Sequence, residues 1–308
     1  MNTKVKVALV QAAPVHNNLQ ASLQKALNLI DQAAAKGAHL TAFAEGWLSG
    51  YPAWIDYCPD IAKWGDEATE AVFVDFWKNS LIVGSPETDT LAAKAKEHKM
   101  TIIMGANERT PLGPGPGTLF NTLLTFGPEG NLLNHHRKLM PTFNEKLFHT
   151  QGDARGLKVV SGGDFRVSGL ICFEHFMPLS RMALHQQAED VHVAAWPNVL
   201  DRHLLASRHY AFEGRCFVLA VGQLMRIGDI PAGLRLPEEL ADKPKDELLL
   251  KGGSCLISPQ GELVIEQQFG EEGIYTAEID LDEVIKGRLT LDAGGHYNRP
   301  DVFDFRVK

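Results

Sequence analysis

The sequence predicts an α/β protein built on mixed rather than all-parallel sheets. Three observations carry this. Short apolar runs of strand length alternate with longer stretches of helical periodicity, the pattern of crossovers between parallel strands. In two places the runs are joined by tight polar turns instead, which makes antiparallel hairpins. No shift of composition and no repeat with a period of ~20–50 residues divides the chain, so residues 1–308 read as one domain.

The elements follow in order. Residues 4–11 are a strand. Residues 18–36 place Leu19, Leu23, Leu27, Ile30 and Ala34 on one helical face, with Gly37 as the C-terminal stop. Strand 40–44 ends at Glu45. Helices 66–79 and 87–99 precede strand 101–106, and the Gly/Pro-rich stretch 111–117 is a loop. Residues 121–126 and 132–137 form a hairpin about Pro128-Glu129-Gly130-Asn131. Strand 167–172, helix 178–187, strand 191–195, helix 202–214 and strand 216–222 make two crossover units. A second hairpin joins 253–258 to 263–267; strand 273–279 and helix 281–289 follow. Residues 225–251, rich in Pro, Glu, Asp and Lys, read as a surface excursion serving as a lid or contact surface.

Composition narrows the function. With 308 residues, 44% hydrophobic and 22% charged, the chain can bury a large core. A net charge of −8 with scattered basic residues argues against nucleic acid and anionic membranes as partners. No apolar stretch approaches the ~20 residues that cross a bilayer, and the first residues lead straight into a strand, so no signal segment is expected. Cys58, Cys172, Cys216 and Cys255 are far apart, without a CxxC pair, and Asn-x-Ser/Thr is absent. Reduced thiols in a cytoplasmic protein are the expectation.

Three apolar runs end in reactive groups: 167–172 in Cys172, 39–44 in Glu45, and 132–137 in Lys138. Alone, a strand-end cysteine reads as a small buried hydrophobe, which is how Cys58, Cys216 and Cys255 read. Cys172 differs because a break at Pro178 and a helix follow it. Glu45 leads into Gly46-Trp47-Leu48-Ser49-Gly50-Tyr51-Pro52, so burial among aromatics should raise its pKa and suit it to act as base and then acid. Lys138 should share a face with His136, while the adjacent His135 points the other way, which argues against a metal site there. A cation beside a thiol lowers the thiol pKa and stabilises developing negative charge. Glu145 alone reads as a loop residue, and Glu174 as structural. The chain lacks a Walker motif, HExxH and GxSxG, and its histidines lack ligand spacing, so neither metal nor cofactor is expected.

At these residues the chain resembles the carbon–nitrogen hydrolase superfamily, and within it the nitrilases. Phe43-Ala44-Glu45 followed by Gly50-Tyr51-Pro52 is similar to the family's base motif. His136-Arg137-Lys138-Leu139-Met140-Pro141-Thr142, with Glu145 behind it, is similar to the lysine motif and second glutamate. Cys172-Phe173-Glu174-His175 and Met177-Pro178-Leu179 resemble the nucleophile motif, with Phe173 where nitrilases usually carry Trp; the C-terminal signature is matched by Gly295-His296-Tyr297-Asn298-Arg299-Pro300-Asp301. The resemblance implies a four-layer αββα sandwich of two mixed sheets, paired into dimers across helices. It implies Cys172 as nucleophile, Glu45 as base, and Lys138 with the Phe173 backbone N–H as charge stabilisers. Glu145 would position Lys138 or share its proton handling. The substrate would be a small-molecule nitrile.

Rival readings are an amide hydrolase or a cyanide-hydrating enzyme on the same residues, an inactive binding or assembly member, and a thiol redox protein. No catalytic residue is lost and no resolving cysteine is close by, which disfavours the last two. Tyr51, Phe173 and Trp196, with Trp47 and the segment after Met225, are candidates to line the pocket. Met182, Ala183, Leu184, Leu204, Leu205, Tyr210 and Phe212 are expected to supply surface for a homodimer or a small multiple of it. The short stretch after the signature argues against filaments.

Overall fold

The computed structural model describes residues 3–110 and 115–308; residues 111–114 of the expected Gly/Pro loop lie outside them. The elements of the first half are β1 (Lys4–Gln11), α1 (Leu19–Ala35), β2 (Leu40–Ala42), α2 (Glu67–Lys78), α3 (Pro86–His98), β3 (Thr101–Arg109), β4 (Leu119–Phe126) and β5 (Leu132–Arg137). The second half adds β6 (Val160–Ser161), β7 (Arg166–Ile171), α4 (Pro178–His185), β8 (Val191–Ala195), α5 (Asp201–Gly214), β9 (Phe217–Val221), β10 (Leu224–Arg226), α6 (Glu238–Ala241), β11 (Leu248–Ile257), β12 (Leu263–Phe269), β13 (Gly273–Asp280) and α7 (Asp282–Arg288).

A six-stranded sheet runs β13-β1-β2-β3-β4-β5, and a seven-stranded sheet runs β10-β11-β9-β8-β7-β6, with β12 paired to β11. β1, β2 and β3 are parallel, as are β7, β8 and β9; the hairpin strands are antiparallel. The sheets pack face to face, β1 against β9 and β11, and β4 against β7. α1 and α3 cover the first sheet and α5 the second, with α4 packed against α5 and the Cys172 turn, which completes the αββα sandwich. Strands buried on both faces explain the apolar runs: every residue of β8 and β9 is buried, His192 of β8 included.

Local chemistry fixes the helix ends. The Asn18 side chain accepts from Ala21 N to cap α1, and Gly37 takes φ +81° just beyond it. Pro86 opens α3, where its missing N–H costs nothing.

Two strands end earlier than their apolar runs, and both differences shape the site. β2 stops at Ala42 rather than residue 44. Phe43 N still donates to Ile103 O at 2.9 Å, but Glu45 N crosses to the other sheet and donates to Trp196 O at 3.3 Å. Gly105 permits this crossing, because a Cβ there would collide with the Ala44 carbonyl oxygen. β7 stops at Ile171, and Cys172 opens a 3₁₀ turn, Cys172–Phe176.

Expected interface residues separate into two groups. Ala183, Leu184 and Tyr210 are buried in the core of their own chain, so their apolar character is already used there. Leu205 and Phe212 are exposed, as is Leu179, which was not among those expected, and Met182 and Leu204 are half-buried. The 225–251 excursion is not free either: Met225, Ile230, Leu234 and Leu250 pack with Tyr51, Trp54 and Ile55, and Arg235 pairs with Asp60 at 2.7 Å. Among the described residues no helix is long and apolar enough to cross a membrane.

Candidate active site

Glu45, Lys138 and Cys172 each follow a strand's carboxyl end, and the two facing sheets bring those ends together. Lys138 continues the β4–β5 ladder by one residue, donating its N–H to Asn121 O at 2.8 Å. Its side chain turns inward with His136, while His135 and Arg137 face Glu108 on the other side. The two adjacent histidines therefore point apart, as strand geometry requires.

Lys138 Nζ donates to Glu45 Oε1 at 2.8 Å and to both Glu145 oxygens at 2.8 Å. Asn121 Nδ2 also donates to Glu45 Oε1, at 2.7 Å. Glu45 Oε2 is buried without a hydrogen-bond partner. Glu145 is fixed by Tyr51 Oη at 2.7 Å and by Thr142 N at 3.1 Å. A carboxylate oxygen of Glu45, one of Glu145 and Cys172 Sγ all lie within 4.8 Å of one another. Those three donor atoms would suit a metal, but the Lys138 ammonium already sits between the carboxylates.

Electrostatics divide the labour. Burial pushes Glu45 up to about 7, against the pull of Lys138 and with a push from Glu145. Burial also works to strip Lys138 of its proton, but Cys172, Glu45 and Glu145 outweigh it and hold the ammonium above its ordinary value. Glu145 is likewise penalised by burial, yet Lys138 keeps it below the ordinary carboxylate range. The expectation for the thiol is reversed. Burial, then Glu45, raise Cys172 well above the ordinary thiol value, and Lys138 offsets only part of this. At rest Cys172 is a thiol, so any attack by its sulfur would need a base to remove the proton.

The turn that presents Cys172 is held from behind. Cys172 has φ +52°, a left-handed conformation that costs a side-chain-bearing residue energy. Glu174 accepts from Ile171 N at 2.7 Å, from Leu139 N at 2.8 Å and from His136 Nε2 at 2.8 Å. One buried carboxylate thus ties the cysteine turn to the lysine segment, which is the structural role its position predicts.

The chain matches the carbon–nitrogen hydrolase family over residues 6–288. It belongs to that family. It is 39% identical over 306 residues to "Nitrilase 2" from an unknown prokaryotic organism, covering 99% of this chain and 92% of that one. It is 36% identical to the "Aliphatic nitrilase" of Sinorhizobium fredii (strain HH103), covering 99% and 96%. Its fold is that of Saccharomyces cerevisiae Nit3, described as a member of branch 10 of the nitrilase superfamily: TM-score 0.71, 20% identity, 97% and 98% of the two chains.

In this carbon–nitrogen hydrolase the remaining expected residues fall into different places. Phe173 is partly exposed, its ring against Phe176 and His203. Tyr51 is buried, and its hydroxyl is engaged by Glu145. Trp196 is wholly buried, packed on His175 and His203 with its indole N–H donated to Ser207. Trp47 is core, donating to Ala12 O and packed on Phe43, rather than pocket lining. Sequence reasoning missed Asn121, the second donor to Glu45, because nothing in an alternating strand distinguishes it. It also missed Gln223, whose Nε2 donates to Glu45 O at 2.6 Å. The polar pair Gly222-Gln223, breaking an apolar strand, was the available signal.

Proposed function

We infer that this hydrolase converts organic nitriles to carboxylic acids and ammonia through a covalent cysteine intermediate. Glu45 Oε2 takes the thiol proton as Sγ attacks the nitrile carbon, giving a thioimidate. Lys138 and the Phe173 N–H bear the negative charge that develops on nitrogen. Water activated by Glu45 adds, ammonia leaves with the protons returned to it, and a thioester remains. A second water releases the acid and restores the thiol. Glu145 holds Lys138 in place, and Tyr51 holds Glu145. Phe173 and the Tyr51 ring contribute pocket wall, with Trp196 behind them.

One observation carries this reading: a buried thiol, an unpartnered carboxylate oxygen and a charged lysine converge in a chain 39% identical to a nitrilase over nearly its whole length. The test is a panel of aliphatic, aromatic and arylacetonitriles with ammonia and organic product both quantified. One ammonia and one acid per nitrile is the expected result. Amide as the main product points to hydration, and turnover of amides but not nitriles to an amide hydrolase; either would displace this reading.

The same reading includes a homodimer, or a small multiple of it, formed through α4 and α5 and supported by the exposed Leu179, Leu205 and Phe212. Because Leu184 lies in the chain's own core, a charge there would test folding rather than association. Leu205→Asp is the informative variant: it should weaken association by about 10-fold or more while leaving the melting temperature of the dissociated chain unchanged. Light scattering that shows the variant assembling like the parent would remove this interface. The four free, buried cysteines support a cytoplasmic location as part of the reading.

A further inference from the structure

Behind the cysteine turn lies a chain of buried polar groups that the reaction itself does not use. His175 Nδ1 is 2.8 Å from Cys172 O, and His175 Nε2 is 3.0 Å from His192 Nε2. His192 Nδ1 is 2.6 Å from Ser168 Oγ and 3.4 Å from Glu189 Oε2, and the Ser168 hydroxyl also reaches Glu189. Trp196 and Tyr210 pack on the two rings. The proton positions follow from chemistry. A carbonyl oxygen only accepts, so His175 carries its hydrogen on Nδ1. Burial holds His175 well below the ordinary histidine value, so it is neutral and its Nε2 is bare. His192 must then donate from Nε2.

We propose that His175 is a positioning residue that aims the Phe173 backbone N–H, and that His192 fixes the proton with which it does so. The Cys172–Phe173 peptide is a rigid trans plane, so its C=O and N–H point in opposite directions. Anchoring Cys172 O therefore sets the direction of the Phe173 N–H. That N–H, in the first turn of a 3₁₀ helix, has no carbonyl within the turn to bond to and so remains available to the reacting atoms. Cys172 is in a left-handed conformation, and the same anchor on its carbonyl helps keep it there.

The claim rests on the nitrile reading only for its turnover arm. Asparagine places a nitrogen where Nδ1 of histidine lies, and glutamine one where Nε2 lies. His175→Asn and His192→Gln keep the needed donor; His175→Gln and His192→Asn lose it. The second pair should lose about 10–100-fold in kcat with KM within about 3-fold, and the first pair should stay within about 3-fold of the parent. Butanal and benzaldehyde give a readout without turnover. On addition the Sγ–C bond forms, the C=O π bond breaks, the thiol proton passes to Glu45, and the new oxyanion meets Lys138 and the Phe173 N–H. Aldehyde affinity, followed by calorimetry, should fall in the same two variants by a similar factor. Losses that track each variant's melting temperature rather than the nitrogen's position would overturn the proposal. So would an unchanged aldehyde affinity. A parent protein that binds aldehydes but hydrolyses no nitrile would defeat the functional reading and leave the aldehyde series to decide this one.

Discussion

Cys172→Ala turns over no nitrile at a measurable rate and melts close to the parent temperature. The loss should be on the order of 10⁴-fold or more, because no other group can form the covalent intermediate, and the remaining residues only move protons and stabilise charge around it. Stability should change by no more than about 1 kcal/mol. Alanine nearly fills the volume of the buried thiol, and Glu45, Lys138, Glu145 and Asn121 keep every hydrogen bond they make to one another. Ammonia release and thermal melting on the same preparation check both halves. Residual release well above the buffer rate would mean that Cys172 is not the nucleophile.

Glu45→Gln should cost about 10²–10⁴-fold in kcat with little loss of structure. The glutamine carbonyl can keep the hydrogen bonds from Lys138 and Asn121, which both go to Oε1. Its amide nitrogen then occupies the place of Oε2, the oxygen without a partner, and cannot take a proton. The parent enzyme should lose activity as pH falls through about 7, where the buried carboxylate becomes protonated; the variant should lose that limb. The same shift bears on folding. Glu45 binds its proton more tightly folded than unfolded, so its contribution to stability is present below the ordinary value of 4.5 and is lost as pH rises through about 7. A pH–rate profile that keeps its acid limb in Glu45→Gln would assign the base elsewhere.

The long elements were legible because each has a period: α1 and the strands of both parallel cores differ from expectation mainly at their ends. β6, β10 and α6 were not, since elements of two to four residues are too short to show a period. Glu45, Lys138 and Cys172 were legible because each ends or follows an apolar run, while Glu145, in a short 3₁₀ turn, was legible only through its place behind the lysine motif. Their partners were not. Asn121, Gln223 and His192 are buried polar residues within or beside strands, and only the packing of one sheet on the other gives them neighbours. The direction of the Cys172 shift was misjudged for the same reason. The strand-end pattern reveals the cation, but not the depth of burial that outweighs it.

Position 172 sets two aims against each other. With φ +52°, glycine would suit the backbone there better than any residue with a side chain, by about 1 kcal/mol. A search guided by stability alone would therefore drift toward the one residue that ends the chemistry. The turn's supports, Glu174 and the Ser180 hydroxyl that donates to Glu174 O at 2.8 Å, belong with the nucleophile in this respect, because loosening them lets Cys172 relax out of place. Efforts to make this enzyme more heat-tolerant have room in its surface loops and in exposed helix faces other than those of α4 and α5, and should leave the segment from Ile171 to Ser180 as it stands.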